Sequence, residues 1–298
     1  MTGRTRDPDG GVDGLLIIDK PGGMTSHDVV ARVRRTLHMK RVGHAGTLDP
    51  MATGVLVVGV GKATRLLGHL ALGDKDYAAT IRLGASTTTD DAEGEVVAES
   101  DAPWSREALD LAVAGLTGAI SQVPPAFSAI KVNGQRAYAK ARAGEDVELA
   151  ARTVTVSRFA VTSVDGNDVE AEITCSSGTY IRSLARDIGV ALGVGGHLTA
   201  LRRTRVGPFG VDRAVGLEAF MAAPDPGFAV VPLTEAVAAA FPRRELSADE
   251  ASEMGFGRPL EPSGVAGVHG VFHDGKVLAL VEDRDGQAKP VVVFEARG

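Results

Sequence analysis

The amino-acid sequence predicts an α+β protein with a small all-β module at its C-terminal end. Apolar runs rich in β-branched residues, which are typical of buried strands, alternate with segments whose apolar residues recur at helical spacing. From about Phe241 onward the helical spacing gives way to short apolar runs separated by Gly-rich turns. The 298 residues are enough to bury a sizeable core in the first part and a smaller one in the second.

We expect three regions along the chain. Residues 1–12 contain no apolar segment and predict a disordered polar tail. Residues 13–228 hold the alternating strands and helices, and Ala222–Gly227, AAPDPG, predicts a linker near their end. Residues 229–298 predict the β module, with a short helix within Val230–Ala240 before its strands.

The first elements are a strand, a helix and a second strand. Leu15–Asp19, LLIID, predicts a strand that ends at the turn KPGG. Thr25 can cap the following helix, and Asp28, three residues later, can complete a capping box. Val55–Val60, VLVVGV, predicts a buried strand. The apolar side of the helix consists of residues at helical spacing, namely Val29, Val30, Val33 and Leu37.

The middle of the chain continues this alternation. Tyr77–Leu83 predicts a strand, and Ser105 is a suitable N-cap for a helix that Gly118 would stop. Asn133-Gly134 predicts a hairpin turn within a proline-marked loop. The apolar side of this second helix consists of Leu109, Ala112, Val113 and Leu116.

A hairpin and a third helix follow. Val154–Val164 and Val169–Cys175, parted by DGND, predict the hairpin. In the C-terminal module, Asp274-Gly275 and Asp285-Gly286 lie between apolar runs, which is a strong hairpin signal. The third helix has one apolar side, formed by Ile181, Leu184, Ile188 and Leu192.

The charged residues are unevenly distributed. The formal net charge of −6 by itself argues against a nucleic-acid partner. Between Lys20 and Lys75, however, nine Lys or Arg residues stand against three acids, a local charge of +6. A basic face of this kind can bind phosphates, although solvated surface charge is the simpler interpretation. A second basic cluster consists of Arg202, Arg203, Arg205 and Arg213.

Several classes of site are excluded. Gly61-Lys62 suggests a P-loop, but that motif needs a glycine and a hydroxyl where Leu56 and Ala63 stand. The seven histidines form no HExxH motif, and the single Cys175 builds neither a multi-Cys zinc site nor an internal disulfide. No GxSxG or GxGxxG motif is present. No apolar window reaches 18 residues, which argues against a membrane span. We expect a cytoplasmic protein that holds no metal.

One carboxylate, Asp49, lies in the nearly uncharged stretch Gly43–Gly54, GHAGTLDPMATG. Because Pro50 follows it, Asp49 is biased toward an extended backbone. The glycines of this stretch permit unusual backbone angles and the close approach of a ligand. Such a loop can hold one acid above a pocket. An Asp that only forms a turn with its own backbone is more common, however, and these residues alone favour the turn.

Two later patterns suggest partners for this acid. Tyr180 and Arg182 open the third predicted helix, and Arg182 lies off its apolar side, where it could hold a carboxylate by a bidentate pair. The ring of Tyr77 could stack on a nucleobase, which contributes about 1–3 kcal/mol per base. The simpler interpretations are a surface ion pair for Arg182 and ordinary packing for both tyrosines.

The stretches GHAGTLDPMATGVLVVGVGKATR, KDYAATIRLG and SSGTYIRSLARDIG are long and jointly specific in this order and spacing. With LLIIDKPGGMTSHDVV they resemble the TruB family of tRNA pseudouridine synthases, over roughly Gly14–Pro208. The resemblance implies the pseudouridine synthase fold, with a central mixed, mainly antiparallel sheet flanked by helices and loops. Residues 13–228 would then be the catalytic domain. Residues 229–298 resemble the RNA-binding PUA domain of that family in their position after the catalytic domain and in their short apolar runs with Gly-rich turns.

The resemblance also implies roles for individual residues. Asp49 corresponds to the catalytic aspartate, Arg182 to the arginine paired with it, and Tyr77 to the tyrosine that stacks on the flipped uracil. Tyr180 corresponds to a second active-site tyrosine, and His44 to a histidine that helps to open the RNA loop. The other positions expected to contact the substrate are Lys20, Gly46, Thr47 and Leu201.

Enzymes of this family isomerise uridine 55 in the TΨC arm of tRNA. The uridine is flipped out of the RNA, the C1′–N1 bond breaks, the uracil rotates, and C5 joins C1′. The sequence leaves open whether Asp49 attacks C6, attacks C1′ or serves a glycal route. Because the net change is an isomerisation, the resemblance implies no cofactor. It implies a tRNA-binding monomer that works without a guide RNA.

Three alternatives remain open at this point. A catalytically silent RNA-binding or RNA-folding protein could share the fold, although Asp49, Tyr77 and Arg182 are all present. A guide-dependent ribosomal RNA pseudouridine synthase usually carries lysine-rich tails, which this chain lacks. A retaining glycosidase needs two carboxylates about 5 Å apart, and Asp49 has no evident partner acid in its motif.

Overall fold

A computed structural model describes residues 12–128, 131–132, 135–136, 149–223 and 225–295. Within these ranges no helix combines the length and apolar character needed to cross a membrane. The predicted disordered tail, except for Val12, and the predicted turn Asn133-Gly134 lie outside the described residues. The residues flanking that dipeptide, Lys131–Val132 and Gln135–Arg136, pair antiparallel.

The described part of the chain alternates helices with strands. The α-helices are α1 (Ser26–Leu37), α2 (Leu67–Leu70), α3 (Arg106–Gly115), α4 (Ile181–Leu192), α5 (Leu217–Ala222), α6 (Leu233–Ala240) and α7 (Ala248–Gly255). The strands up to residue 136 are β1 (Gly14–Lys20), β2 (Val42–Ala45), β3 (Thr53–Val60), β4 (Lys75–Leu83), β5 (Ala85–Thr87), β6 (Val96–Glu99), β7 (Gly118–Gln122), β8 (Lys131–Val132) and β9 (Gln135–Arg136). The later strands are β10 (Arg152–Asp165), β11 (Asp168–Cys175), β12 (Gly196–Val206), β13 (Phe209–Gly210), β14 (Val215–Gly216), β15 (Val231–Pro232), β16 (Arg243–Glu245), β17 (Val268–His273), β18 (Lys276–Arg284) and β19 (Gln287–Val293).

A large mixed sheet forms the centre of the structure. Its strand order is β14-β1-β3-β12-β4-β11-β10-β7, and β2, β13 and β15 pair with members of this series. The pairs of β1 with β14 and of β3 with β12 are parallel, whereas the other pairs are antiparallel. The prediction of a mixed, mainly antiparallel sheet is therefore confirmed.

Strand β1 explains why its sequence is a continuous apolar run. Side chains of a strand alternate between the two faces of the sheet. Leu15 and Ile17 lie in one buried cluster, whereas Leu16 and Ile18 lie in another with Val33 of α1. Both faces of β1 are thus covered, which removes the polar residues that a half-exposed strand would carry.

The helix signals in the sequence were largely correct. The Thr25 hydroxyl accepts from the Asp28 N–H, and the Asp28 carboxylate accepts from the Thr25 N–H, so α1 has the predicted capping box. Helix α3 begins after the predicted N-cap Ser105, but it ends at Gly115, before the predicted stop Gly118. Gly118 instead opens strand β7 with a φ of 96°.

The C-terminal module is a four-stranded sheet in the order β16-β17-β18-β19. Both predicted hairpin turns are confirmed, since φ is positive at Asp274, Gly275, Asp285 and Gly286, as a type I′ turn requires. The predicted β module is confirmed, and it also contains α7, a helix that the expectation of an all-β module did not include. The signal for α7 is a capping box: the hydroxyl of Ser247, its N-cap, accepts from the N–H three residues later, and the carboxylate there accepts from the N–H of Ser247.

The two parts of the chain share apolar contacts. Strand β15 pairs with β1, beyond the expected domain end at residue 228. Leu233 and Val237 of α6 lie in the same buried cluster as Leu15 and as Phe272 of the C-terminal sheet. The boundary between residues 228 and 229 stays a prediction, and the core crosses it.

Candidate active site

Asp49 lies in the loop between β2 and β3, and this loop is fixed to the start of α1. The hydroxyl of Ser26 accepts from the backbone N–H of Leu48 at 2.9 Å and donates to its carbonyl at 3.2 Å. The N–H of Gly23 donates to the carbonyl of Pro50 at 2.9 Å. Contacts on both sides of Asp49 therefore define where its carboxylate points.

The structure brings Asp49 and Arg182 together although 133 residues separate them. Nη2 of Arg182 donates to Oδ1 of Asp49 at 3.2 Å, and Nε lies 3.0 Å from Oδ2. The side chain of Arg182 is 5% exposed, whereas that of Asp49 is 32% exposed. The guanidinium of Arg182 is thus buried, whereas the carboxylate of Asp49 is partly open to solvent.

A second carboxylate, Asp91, contacts the same guanidinium. Its Oδ2 lies 3.5 Å from Nη1 of Arg182, and the Asp91 side chain is 4% exposed. Arg182 also donates to the backbone carbonyls of Thr89 and Phe127, each at 3.0 Å. The motifs of the sequence do not include Asp91. The hydroxyl-rich stretch TTTDD could have marked a local turn, since Thr89 hydrogen-bonds Asp91, but not its partner.

Tyr180 is held at the start of α4 by Gln122. The Gln122 side chain accepts from the Tyr180 N–H at 2.8 Å and donates to its carbonyl at 3.1 Å. The guanidinium of Arg152 lies 5.2 Å from the centre of the Tyr180 ring, at a distance suited to a cation–π contact. Gln122 was missed by the sequence reasoning because nothing local indicates that β7 reaches this helix.

Tyr77 and Leu201 lie on adjacent strands, β4 and β12, in the buried cluster that also contains Leu48. Each is 8% exposed, so little of the Tyr77 ring is open to a base in this conformation. Burial raises the pKa of the Tyr77 phenol above its ordinary value. The ring is therefore a neutral surface beside the Asp49 loop.

His44 lies on β2, next to the loop. Its ring is half-buried and makes an edge-to-face contact with His27, with 5.3 Å between the ring centres. Burial, followed by the charges of His27 and Arg203, lowers the pKa of His44 below its ordinary value. A neutral His44 at the loop can pack against an RNA base without an added charge.

Lys20 was expected to contact the substrate, whereas here its amine is directed to backbone carbonyls inside the protein. Its side chain is fully buried, and Nζ donates to the carbonyls of Pro21, Met24 and Pro50 at 3.0, 2.7 and 3.1 Å. Burial lowers the pKa of Lys20 to about 8. All three donors are used within the protein, so Lys20 supports the Asp49 loop from below.

Two more predicted contacts, Gly46 and Thr47, have backbone carbonyls that point inward, whereas Thr47 itself is exposed. The carbonyls of Gly46 and Thr47 accept from the buried guanidinium of Arg203. Arg203 itself was expected to belong to a phosphate-binding cluster, and its burial excludes that. The other arginines of that cluster form ion pairs, namely Arg202 with Asp19, Arg205 with Asp76 and Arg213 with Glu235.

The remaining features of the surface do not compete with this site. A cavity of about 590 Å³ beside Trp104 and Asn167 contains none of the residues predicted for the site. In the part of the chain that the structure describes, no three His, Cys, Asp or Glu side chains are grouped to hold a metal ion. The Asp49 loop is therefore the candidate site.

Known sequences match this chain over most of its length. The chain matches the family described as "TruB family pseudouridylate synthase (N terminal domain)" over residues 34–181. It also matches "tRNA pseudouridylate synthase B C-terminal domain" over residues 182–225 and "tRNA Pseudouridine synthase II, C terminal" over residues 241–295. The tRNA pseudouridine synthase B of Thermobifida fusca is 63% identical over 95% of this chain and 98% of its own length. That of Mycobacteroides abscessus is 56% identical over 94% of this chain and 96% of its own length.

The fold has solved counterparts. A chain of the crystal structure of a Cbf5-Nop10-Gar1 complex is 26% identical, with a TM-score of 0.74 over 99% of this chain and 93% of its own. A chain of an archaeal box H/ACA sRNP Nop10-Cbf5 complex is 26% identical, with a TM-score of 0.71 over 95% of this chain and 86% of its own. The contact of Asp49 with Arg182 brings together two of the motifs that resemble the family. Because relatives that are 63% and 56% identical cover 95% and 94% of it, this chain belongs to the TruB family of pseudouridylate synthases.

Proposed function

We propose that this chain isomerises uridine to pseudouridine in tRNA, at position 55 of the TΨC arm. The observation that carries the proposal is the Asp49–Arg182 pair, in which a buried guanidinium holds a carboxylate that faces outward. The curated relatives named tRNA pseudouridine synthase B support the same reaction and the same class of RNA. Membership of the family supports an isomerase rather than a silent binding protein.

The reaction exchanges one bond of the ribose for another. The C1′–N1 bond breaks, the C1′–C5 bond forms, the C5 proton leaves, and N1 gains a proton. Asp49 would be the nucleophile or base, because a carboxylate can attack and later leave. Arg182 would hold that carboxylate in place through a hydrogen bond from Nη2 and an ion-pair contact from Nε.

The substrate has to reach this carboxylate as an extruded base. Flipping a base costs a few kcal/mol, and less in a loop than in a duplex. We propose that Tyr77, Leu201 and Tyr180 receive the uracil and that His44 takes its place in the RNA. Tyr77 is 8% exposed, so this requires the ring to open toward the base.

The proposal extends to the two parts of the chain, its oligomeric state and its location. We propose that residues 13–228 are catalytic, that residues 229–298 bind RNA in the manner of a PUA domain, and that the protein works as a monomer in the cytoplasm without a guide RNA. The structural likeness to Cbf5 raises the guide-dependent alternative, because those chains were solved in complexes with partner proteins. The sequences of much higher identity are named for tRNA instead.

One experiment tests the activity. The purified protein is incubated with an unmodified tRNA transcript, without cofactor, guide RNA or partner protein, and pseudouridine is mapped. We expect conversion at uridine 55 by the wild type and none by Asp49→Asn, which keeps the shape of the side chain but removes its charge. Asp168→Asn is the matched control, since this acid is exposed to the same degree as Asp49, 34% against 32%, and pairs with Arg82.

The outcomes separate the alternatives. A silent binder shifts the tRNA in a gel but leaves every uridine intact. A guide-dependent enzyme is inactive until a guide and partners are added. Normal turnover by Asp49→Asn contradicts the assignment of Asp49.

A further inference from the structure

Arg203 is a buried cation without an acidic partner. Its side chain is the largest of those that are less than 2% exposed. In the described ranges no carboxylate lies within ion-pair distance of it. A buried charge is costly unless it is paired and hydrogen-bonded, so its presence requires a compensating role.

The compensation comes from the loop that carries Asp49. Nε of Arg203 donates to the carbonyl of Val55 at 2.8 Å, Nη1 to that of Thr47 at 3.3 Å, and Nη2 to that of Gly46 at 3.2 Å. Two of these carbonyls precede Asp49 and one follows it. The planar guanidinium therefore ties both ends of the loop to one rigid group.

A glycine allows the arginine to reach this position. Strand β12 runs parallel to β3, with Arg203 opposite Gly54. A Cβ atom on Gly54 would lie 2.2 Å from the carbonyl oxygen of Arg203, and φ of Gly54 is +97°. Gly54 was expected to admit a ligand, but its small size instead admits the backbone of Arg203.

Arg203 also faces the other side of the site. It lies opposite Tyr77 in the pairing of β12 with β4. Burial raises the pKa of Tyr77, and the nearby charge of Arg203 opposes that rise. The same guanidinium is thus in contact with the Asp49 loop and next to the tyrosine proposed to receive the uracil.

We propose that Arg203 is a positioning residue of the active site: it fixes the Asp49 loop by hydrogen bonds on both sides of the carboxylate, without touching the substrate. This inference rests on the proposed function, because the position of Asp49 matters only if Asp49 reacts. It differs from the role of Arg182, which contacts the carboxylate itself. A displacement of about 1 Å at a reacting group can cost about 100-fold in rate.

The test compares Arg203→Met and Arg203→Lys with Arg82→Met, an exposed arginine of β4 that pairs with Asp168. Lysine keeps the buried charge but cannot donate in the three fixed directions of a guanidinium. Three quantities are measured for each variant: the single-turnover rate of pseudouridine formation, the dissociation constant for the tRNA transcript, and amide hydrogen exchange.

We expect the single-turnover rate to fall about 100-fold in Arg203→Met and less in Arg203→Lys. The dissociation constant should stay within about twofold of wild type, because Arg203 does not contact RNA. Exchange should rise in residues 43–54 and remain unchanged in α4. Arg82→Met should match wild type in all three quantities.

Two results overturn the proposal. One is a folded Arg203→Lys or Arg203→Met variant with a wild-type rate. The other is a loss of rate accompanied by faster exchange throughout the molecule, which indicates a general role in stability. If Arg203→Met does not fold, Arg203→Lys decides the matter. An inactive wild type would instead contradict the proposed function.

Discussion

At the scale of residues, the site places one guanidinium between two carboxylates of different exposure. The Asp49 side chain is 32% exposed and that of Asp91 is 4% exposed, and Arg182 contacts both. The buried carboxylate compensates the charge of Arg182 within the protein. The exposed one is left with an outward face. This division explains how a buried arginine can be kept in place while its other partner reacts.

Lys20 gives the site a pH dependence. Its pKa is lowered from 10.5 to about 8, first by burial and against the attraction of Asp49. The folded protein therefore binds fewer protons than the unfolded chain between these two values. The contribution of Lys20 to the free energy of unfolding therefore increases as the pH rises through that window, which stabilises the folded state. Catalysis should respond in the opposite direction, because a neutral amine has two N–H groups for three carbonyls.

We predict that the single-turnover rate falls as the pH rises past the pKa of Lys20, which is about 8. The measurement is the rate of pseudouridine formation at a series of pH values on either side of it. Lys75 is also buried, with a pKa of about 8, and donates to the carbonyls of Ala71 and Gly73. The fall should persist in Lys75→Met and disappear in Lys20→Met. A wild-type rate that stays level above this pKa contradicts the prediction.

Individual site residues differ in how far their sequence predicts them. Asp49 and Arg182 were identified because each lies in a long motif. Asp91, Gln122 and Arg203 were not, because their partners are set by strand order rather than by neighbours in the chain. Lys20 was expected to contact the substrate, and its amine donates to three backbone carbonyls instead, since a motif marks a position and does not show where the side chain points.

At the scale of elements, the parallel contact of β3 with β12 decides the geometry of the loop. Register places Gly54 opposite Arg203 and Thr53 opposite Arg202. The sequence predicted β3 well, because a β-branched run bounded by glycine is a local signal. It could not predict that β12 would lie beside β3, because 135 or more residues separate the two strands and no local pattern encodes the pairing.

We predict that Gly54→Ala destabilises the protein more than Gly118→Ala. The two glycines have nearly equal φ, +97° and +96°, so the strain of a left-handed residue, roughly 1–2 kcal/mol, is common to both. A Cβ on Gly118 meets nothing within 4 Å, whereas one on Gly54 meets the Arg203 carbonyl at 2.2 Å. Gly54→Ala should also lose activity, since Arg203 must shift.

Urea unfolding of both variants measures the difference, as the free energy extrapolated to water. Single-turnover rates measured in parallel report on the loop. Equal free energies of unfolding for the two variants contradict the claim that the close approach of β12 constrains Gly54.

At the scale of the whole molecule, the alternation of strand and helix patterns predicted the fold class, but it did not predict the order of the strands in the sheet. Hairpins such as β10-β11 were predicted because their strands are consecutive. The shared core was not. Phe272 and Val277 lie in one buried cluster with Leu15. The change from helical spacing to short apolar runs near Phe241 had suggested a separate module. A change in composition marks where the element type changes, and apolar contact can still continue across it.

The distribution of charge leads to a prediction about RNA binding. The second predicted basic cluster consists of one buried arginine and three that form ion pairs, so α1 and its following turn are the better candidates for phosphate contacts. Arg35 and Lys40 are exposed there. Each lost phosphate contact reduces the slope of log affinity against log salt concentration by about 1. The chain as a whole is acidic, at −6, so any steep salt dependence has to come from such a local face.

We predict that the double variant Arg35→Gln, Lys40→Gln binds the tRNA transcript more weakly at low salt, with a slope that is shallower by about 2. Its single-turnover rate at saturating protein should equal that of wild type, because both side chains are exposed and neither belongs to the proposed site. Arg106→Gln is the control, since Arg106 pairs with Asp110 on the exposed side of α3 and should leave the slope unchanged. An unchanged slope in the double variant would show that the phosphates lie against another face, and a lowered rate at saturation would show that α1 also shapes the site through Ser26.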